Sequence, residues 1–148
     1  MIQVNTRQGE LSVAIVEDER ELICIYEKIL ARMGLPVSFV ADNGLAAVAR
    51  FAERRDRPLI VLMDNRLPGM NGIDAMREML KVEPRTRVIF LSADVGARGD
   101  AMKAGAFAFI SKPASIRDIV CVVEKAMGPT SSAGAPPDRT TADIFGGW

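Results

Sequence analysis

Four polar positions in this sequence each stand at the end of a short apolar run. Glu17-Asp18 follows residues 11–16 (LSVAIV), Asp64 follows 58–63 (PLIVLM), Ser92 follows 87–91, and Lys112 comes two positions after 107–110. Brought together, carboxylates, a hydroxyl and an ammonium make a site for phosphoryl chemistry. Three carboxylates in one crevice repel, at about 4 kcal/mol per pair for ~4 Å and an effective dielectric of ~20. Such a cluster persists with a compensating cation, and oxygen donors without His or Cys favour Mg2+ over zinc or copper. The cation and Lys112 would neutralise phosphoryl oxygens, Ser92 would donate a hydrogen bond, and Asp64 would attack phosphorus. The chain contains no histidine. His-based triads, His-ligated metals and a phosphohistidine carrier within this sequence are excluded.

These residues need elements that end at one place. Residues 11–16 form a short, β-branched run, and Glu19 to Met33 shows Leu22, Ile25 or Tyr26, Ile29, Leu30 and Met33 at helical spacing, closed by Gly34 and Pro36. A second strand is expected over 36–41, then a helix capped by Asp42 or Asn43 and running to about Arg54. The run 58–63 is too short for an ordinary helix and predicts a central strand, followed by a loop over 65–71 with Pro68-Gly69 as its turn. A helix over 72–82, a strand over 87–91, a weak helix over 95–104 loosened by Gly96 and Gly99, a strand over 107–110 and a Ser115-capped helix over 116–127 complete the pattern. Strand and helix thus alternate five times. Nearly continuous apolar strands between helices predict a parallel sheet covered on both faces, with all strands ending at one edge. In the order 2-1-3-4-5, carried over from known doubly wound folds, the first and third strands are neighbours and the three carboxylates converge.

Composition agrees with a single domain. The chain has 148 residues, 49% hydrophobic and 26% charged, enough for a buried core. Lys+Arg and Asp+Glu are equal at 19 each, which argues against a general nucleic-acid or membrane surface. No run approaches the ~20 apolar residues of a membrane span, and residues 1–10 are polar and unlike a signal peptide. A reduced, soluble, cytoplasmic protein is expected. Cys24 and Cys121 are far apart and lie in apolar helical patterns, so two buried free thiols are expected, without a zinc or redox pair. Residues 129–148 are rich in Pro, Gly, Ser, Thr and Ala and lack periodicity. They read as a flexible tail, in which Ile144, Phe145 and Trp148 could form a docking motif. The expected division is an N-terminal extension over 1–10, a domain over 11–128 and the tail.

Five blocks carry a resemblance. They are Val16-Glu17-Asp18-Glu19, Met63-Asp64-Asn65-Arg66-Leu67-Pro68-Gly69-Met70-Asn71-Gly72, Ser92-Ala93, Lys103-Ala104-Gly105-Ala106, and Phe109 with Lys112-Pro113. Each sits near a strand end, and in this order they resemble the receiver domain of two-component response regulators, from about residue 11 to 128. The resemblance implies an α/β, flavodoxin-like (βα)5 three-layer sandwich with a five-stranded parallel sheet of order 2-1-3-4-5. It implies a phosphorylated switch with Asp64 as phosphoacceptor and Mg2+ bound by Asp18, Asp64 and the backbone carbonyl of Arg66, with Glu17 contributing through water. Ser92 would move toward the phosphoryl group, and Phe109 would turn inward behind it. Lys112-Pro113 is a peptide the family often makes cis. The implied partners are a sensor histidine kinase or a phosphotransfer protein, an effector of unstated kind, and a second copy through helix 4, strand 5 and helix 5.

Three details depart from the commoner family pattern. Glu17 stands where Asp is more frequent. Arg66 and Asp94 would face each other across the site, in a salt bridge that shields the phosphoryl group from water. Ser92 and Lys112 are 112 − 92 = 20 positions apart, fewer than in many receivers, so helix 4 or its leading loop should be short. Other readings fit less well. An aspartate-nucleophile phosphatase uses Asp-x-Asp, and Arg66 holds the second position. An FMN binder would need a phosphate loop where Glu17-Asp18-Glu19 would repel phosphate. A receiver degenerated to an interaction surface would not need the complete acidic, hydroxyl and lysine set. A phosphorelay intermediate, or the receiver of a longer regulator, stays open; nothing after Pro129 supplies a helix-turn-helix.

Overall fold

The computed structural model describes residues 11–128. The expected extension and tail, with Ile144, Phe145 and Trp148, lie outside the described residues. Five strands, β1 (Val13–Val16), β2 (Val37–Ala41), β3 (Ile60–Met63), β4 (Arg87–Ser92) and β5 (Ala108–Ser111), alternate with α1 (Arg20–Arg32), α2 (Gly44–Glu53), α3 (Gly72–Val82), α4 (Arg98–Ala104) and α5 (Ile116–Met127). The strands form one parallel sheet in the order β2-β1-β3-β4-β5.

The period of two along each strand divides the core in two. Ala14, Val16, Val61, Met63, Val88, Phe90 and Phe109 face one side, where they meet Ala47 and Phe51 of α2, Met76 and Met79 of α3, and Ala101 of α4. Val13, Ile15, Ile60, Leu62, Ile89, Leu91 and Ile110 face the other, against Tyr26, Ile29 and Leu30 of α1 and Ile119, Val120 and Val123 of α5. Every residue of β1 and β3 is buried, which is why both read as unbroken apolar runs. Truncating a fully buried aromatic such as Phe90 to Ala should cost about 3–5 kcal/mol.

Caps set where the helices begin. Asn43, not Asp42, caps α2 by accepting from the Ala46 N–H at 2.8 Å, Asn71 accepts from Asp74 at 2.9 Å, and Ser115 accepts from Asp118 at 3.0 Å. The weak helix expected over 95–104 divides into a 3-10 turn at Val95–Ala97 and a seven-residue α4, as short as the spacing from Ser92 to Lys112 requires. The expected burial of both thiols is corrected. Cys24 is exposed and Cys121 is half-buried. On α1 the inward stripe runs through Tyr26, Ile29 and Leu30. At 100° per residue, Cys24 lies about 200° away from Tyr26, on the solvent side. Ile25, the alternative to Tyr26 in the inward pattern, is likewise exposed.

Arginines lie along both outer strands. Arg50 and Arg54, one turn apart on the end of α2, donate to the carbonyls of Val40 and Ser38 in β2. At the other edge Arg98 donates to the carbonyl of Phe109 in β5. Among the described residues no helix is long and apolar enough to cross a membrane.

Candidate functional site

The sheet ladder fixes the backbone of the site. The N–H of Glu17 donates to Ala41 O, that of Asp64 to Val16 O, and that of Lys112 to Ser92 O, each at 3.0 Å. Each residue therefore takes the next hydrogen-bonding step beyond its own strand, at the common C-terminal edge. The Lys112-Pro113 peptide is cis.

Four of the expected site residues meet there. One carboxylate oxygen each from Glu17, Asp18 and Asp64 lies within 4.8 Å of the others. Glu17 is 1% exposed and Asp64 7%, whereas Asp18 opens to solvent. Lys112 Nζ lies 3.0 Å from Glu17 Oε1 and 3.4 Å from Asp64 Oδ2. Glu17 Oε2 also accepts from the Glu19 N–H at 3.1 Å, and Asp64 Oδ1 from the Arg66 N–H at 3.3 Å.

The charges shift one another. Burial raises the Glu17 pKa above the usual carboxylate range, with the Asp64 charge adding to the rise, although the bonds from Lys112 and the Glu19 N–H pull it down. Burial pulls Lys112 down, but the hydrogen bond to Glu17 and the charges of Asp64 and Glu17 outweigh it, and its pKa ends above the ordinary lysine value. Three carboxylates facing one ammonium leave an excess of negative charge. With oxygen donors alone, that excess fits a hard divalent cation such as Mg2+. Glu17, Asp18 and Asp64 are the side chains that would hold it.

Ser92 is fully buried at the end of β4, and its Oγ accepts from the Asp94 N–H at 3.1 Å. Phe109 is buried on the inner face, stacked on Phe90 with ring centroids 6.1 Å apart. Arg66 reaches Asp94 only loosely: Nε to Oδ2 is 4.0 Å, with 69% of the Arg66 side chain exposed. The expected salt bridge is present at that length, in a geometry that solvent screens.

Sequence reasoning missed Asn65 and the reason for Gly72. The Asn65 Oδ1 accepts from the Ile73 N–H at 3.1 Å, and its backbone carbonyl accepts from the N–H groups of Gly72 and Leu67, both at 3.0 Å. Its Nδ2 reaches Asp94 Oδ2 at 3.5 Å. Asn65 thereby ties the loop after Asp64 to the first turn of α3, whose N–H groups lack partners within the helix. A Cβ on Gly72 would stand 2.3 Å from the Asp64 carbonyl oxygen, so glycine lets α3 start directly against the Asp64 backbone. The available signal was an amide side chain following a strand-end Asp, seven residues before a glycine.

Known proteins share this arrangement. Residues 13–124 match the family profile described as the response regulator receiver domain. The chemotaxis protein CheY of Thermotoga maritima is 39% identical over 104 residues, which cover 68% of this chain and 84% of that protein. The regulatory protein AtoC of Escherichia coli is 34% identical over 78% of this chain, but the match covers 25% of AtoC. Among solved structures, the receiver domain of a sensor histidine kinase from Pseudomonas aeruginosa PAO1, with a magnesium ion coordinated in its active-site cleft, superposes with a TM-score of 0.71 at 27% identity, covering 80% of this chain and 98% of that one. The CheY of a CheX-CheY-BeF3-Mg complex from Borrelia burgdorferi gives 0.75 at 25% identity, covering 80% of this chain and 90% of that chain. With its five parallel strands in this order and its acidic cluster at their shared edge, the chain belongs to the response regulator receiver domain family.

Proposed function

We propose that this chain is a phosphorylation switch that accepts a phosphoryl group on Asp64 from a sensor histidine kinase or a phosphotransfer protein, and signals through partner binding without turning over a substrate. The observation that carries this reading is the acidic cluster within 4.8 Å, with Lys112 Nζ 3.4 Å from Asp64 Oδ2. An Asp64 carboxylate oxygen attacks phosphorus and forms an acyl phosphate. The donor's bond to phosphorus breaks, and its electron pair leaves with the donor group, a phosphohistidine nitrogen or the acyl oxygen of acetyl phosphate. Bound Mg2+ would supply charge neutralisation to the phosphoryl oxygens, held by Asp18, Asp64 and the Arg66 carbonyl, with Glu17 acting through water. Lys112 neutralises further charge from the β5 side, and Ser92 donates its hydroxyl after leaving the Asp94 N–H. Arg66 at the second position after Asp64 removes the acid-base group that an aspartate-nucleophile phosphatase requires.

The stand-alone form is supported by the match over 84% of the Thermotoga maritima CheY. A receiver within a longer regulator is the second reading, because AtoC and the DNA-binding regulator NtrC of Escherichia coli match over 25% and 29% of their lengths. Pairing of two copies through α4, β5 and α5 is a further part of the proposal, to be checked by scattering mass with and without beryllofluoride.

Intact mass after incubation with acetyl phosphate and Mg2+ tests the central claim. One phosphoryl adduct is expected on the wild type, none without Mg2+ and none on Asp64→Asn. An adduct that persists in Asp64→Asn would sink the assignment.

A further inference from the structure

Arg98 opens α4, yet its side chain is committed to β5. Its Nη1 donates to the Phe109 carbonyl at 3.2 Å, and its guanidinium carbon lies 5.7 Å from the centroid of the Phe109 ring. That ring packs on Phe90 with an interplanar angle of 15° and is 6% exposed. One side chain thus holds both the backbone and the ring of the same residue.

Apart from the buried methyl of Ala97, α4 has little else to anchor its beginning. Its N-cap, Ala97, offers no side-chain hydrogen bond, and Ala101 is the buried residue of its seven. Gly96 and Gly99 flank Arg98, with nothing within 4 Å of a Cβ at Gly99. A helix this short with glycine in its first turn does not sustain itself and takes its position from tertiary contacts.

We propose that Arg98 is a positioning residue that couples Phe109 to α4, so that the ring's place beneath the guanidinium sets how firmly the first turn of α4 is held on β5. The proposal deepens the reading of the Asp64 site as a phosphoryl switch and rests on it for its role in signalling. The physical basis is that cation–π attraction requires the ring face within about 6 Å of the cation. When the ring moves away, one of two contacts is lost and α4 is held by the carbonyl bond alone. The planar fork of arginine makes both contacts at once, which a lysine ammonium does less well.

Amide hydrogen exchange on the full chain tests this with wild type, Arg98→Met, which keeps much of the apolar stem, and Arg98→Lys, which keeps the charge. Without ligand, amides 102–106 of Arg98→Met are expected to exchange about tenfold faster, the size of a lost cation–π contact together with a hydrogen bond. Amides of α1 and β1 to β3 are expected to keep wild-type protection, and Arg98→Lys to fall between. Unchanged protection at 102–106, or an equal loss across the whole sheet, overturns the proposal. With Mg2+ and beryllofluoride, protection changes at 64–72 report on the phosphoryl site alone. In Arg98→Met they are expected to persist while the accompanying change at 98–106 is lost; an undiminished change at 98–106 overturns the coupling. No change at 64–72 in the wild type defeats the phosphoryl reading instead, and the ligand-free comparison still decides the hold on α4.

Discussion

Lys112 Nζ lies 3.0 Å from Glu17 Oε1, joining two residues 95 positions apart in sequence and placing the ammonium 3.4 Å from Asp64 Oδ2 as well. The sheet makes this pairing, because β1, β3 and β5 end together although β5 does not touch β1. Removing the ammonium leaves two buried carboxylates facing each other. Lys112→Met is expected to lose roughly 3 kcal/mol of stability without divalent cation, to regain part of it in Mg2+, and to bind Mg2+ more tightly than wild type. Urea unfolding at several Mg2+ concentrations checks this. A midpoint equal to wild type without Mg2+ would show the carboxylates are already relieved by solvent.

Gly72 and Gly99 should respond oppositely to alanine. At Gly72 the new methyl would stand 2.3 Å from Asp64 O and 2.9 Å from Asn65 Cα, both backbone atoms that can yield only by moving the site loop. Gly72→Ala is expected to cost about 3 kcal/mol and to weaken Mg2+ binding. At Gly99 the methyl meets nothing within 4 Å, inside a helix. Gly99→Ala is expected to stabilise by about 0.5–1 kcal/mol. Urea midpoints and a Mg2+ titration by calorimetry separate the two.

Asn65→Ala leaves the Ile73 N–H without its acceptor at the start of α3. A loss of about 1–2 kcal/mol is expected. Asn65→Asp keeps the acceptor and adds a charge beside Asp64 and Asp94, so it should recover the helix contact while making the site more dependent on Mg2+. Thermal unfolding with and without Mg2+ distinguishes these effects.

Tyr26 is the single tyrosine of the chain and is 3% exposed. Burial raises its pKa well above 10, and the charges of Glu17, Asp64 and Glu19 add to the rise. The unfolded chain releases the phenolic proton near 10 while the folded chain keeps it. The contribution to stability is therefore complete below pH 10 and is lost as the pH rises toward the folded pKa. Tyrosinate absorbance is expected to appear only together with alkaline unfolding followed by circular dichroism. A titration near pH 10 in a folded protein would contradict the burial.

Arg66→Ala separates structure from chemistry. The contact with Asp94 is 4.0 Å long and largely exposed, so stability should change by no more than about 0.5 kcal/mol. The expected effect is a shorter lifetime of the phosphorylated form, read by intact mass over time.

The strand ends were legible in the sequence because buried parallel strands are apolar throughout, and the polar residues at or just past the ends of four of the five runs are the ones expected at the site. Glu17, Asp64, Ser92 and Lys112 were found in that way. Strand starts were less legible. Leu11 was read into the first strand and Phe107 into the fifth, but Leu11 is 42% exposed and Phe107 is 38% exposed, its ring lying 5.5 Å from the Arg87 guanidinium. An apolar side chain that packs under a cation at the sheet's lower edge looks the same in sequence as one in the core. The choice between Ile25 and Tyr26, and the exposure of Cys24, depended on the rotation of α1 about its axis, which a stripe of five apolar residues fixes only within one position. Asn65 and Arg98 escaped because their partners, Ile73 and Phe109, are fixed by tertiary placement and leave no periodic trace.

The arginines along the outer strands occupy backbone acceptors at both edges of the sheet. A parallel sheet exposes unpaired carbonyls on its first and last strands, and those carbonyls can template a strand from another molecule. Here Ser38 and Val40 in β2 are taken by Arg54 and Arg50, and Phe109 in β5 by Arg98. Each guanidinium also sets a charge where an incoming backbone would lie. Both edges are thereby capped at these three carbonyls without the sheet being closed into a barrel. An added strand would have to displace these guanidinium groups before it could pair at those positions, a built-in obstacle to edge-to-edge association.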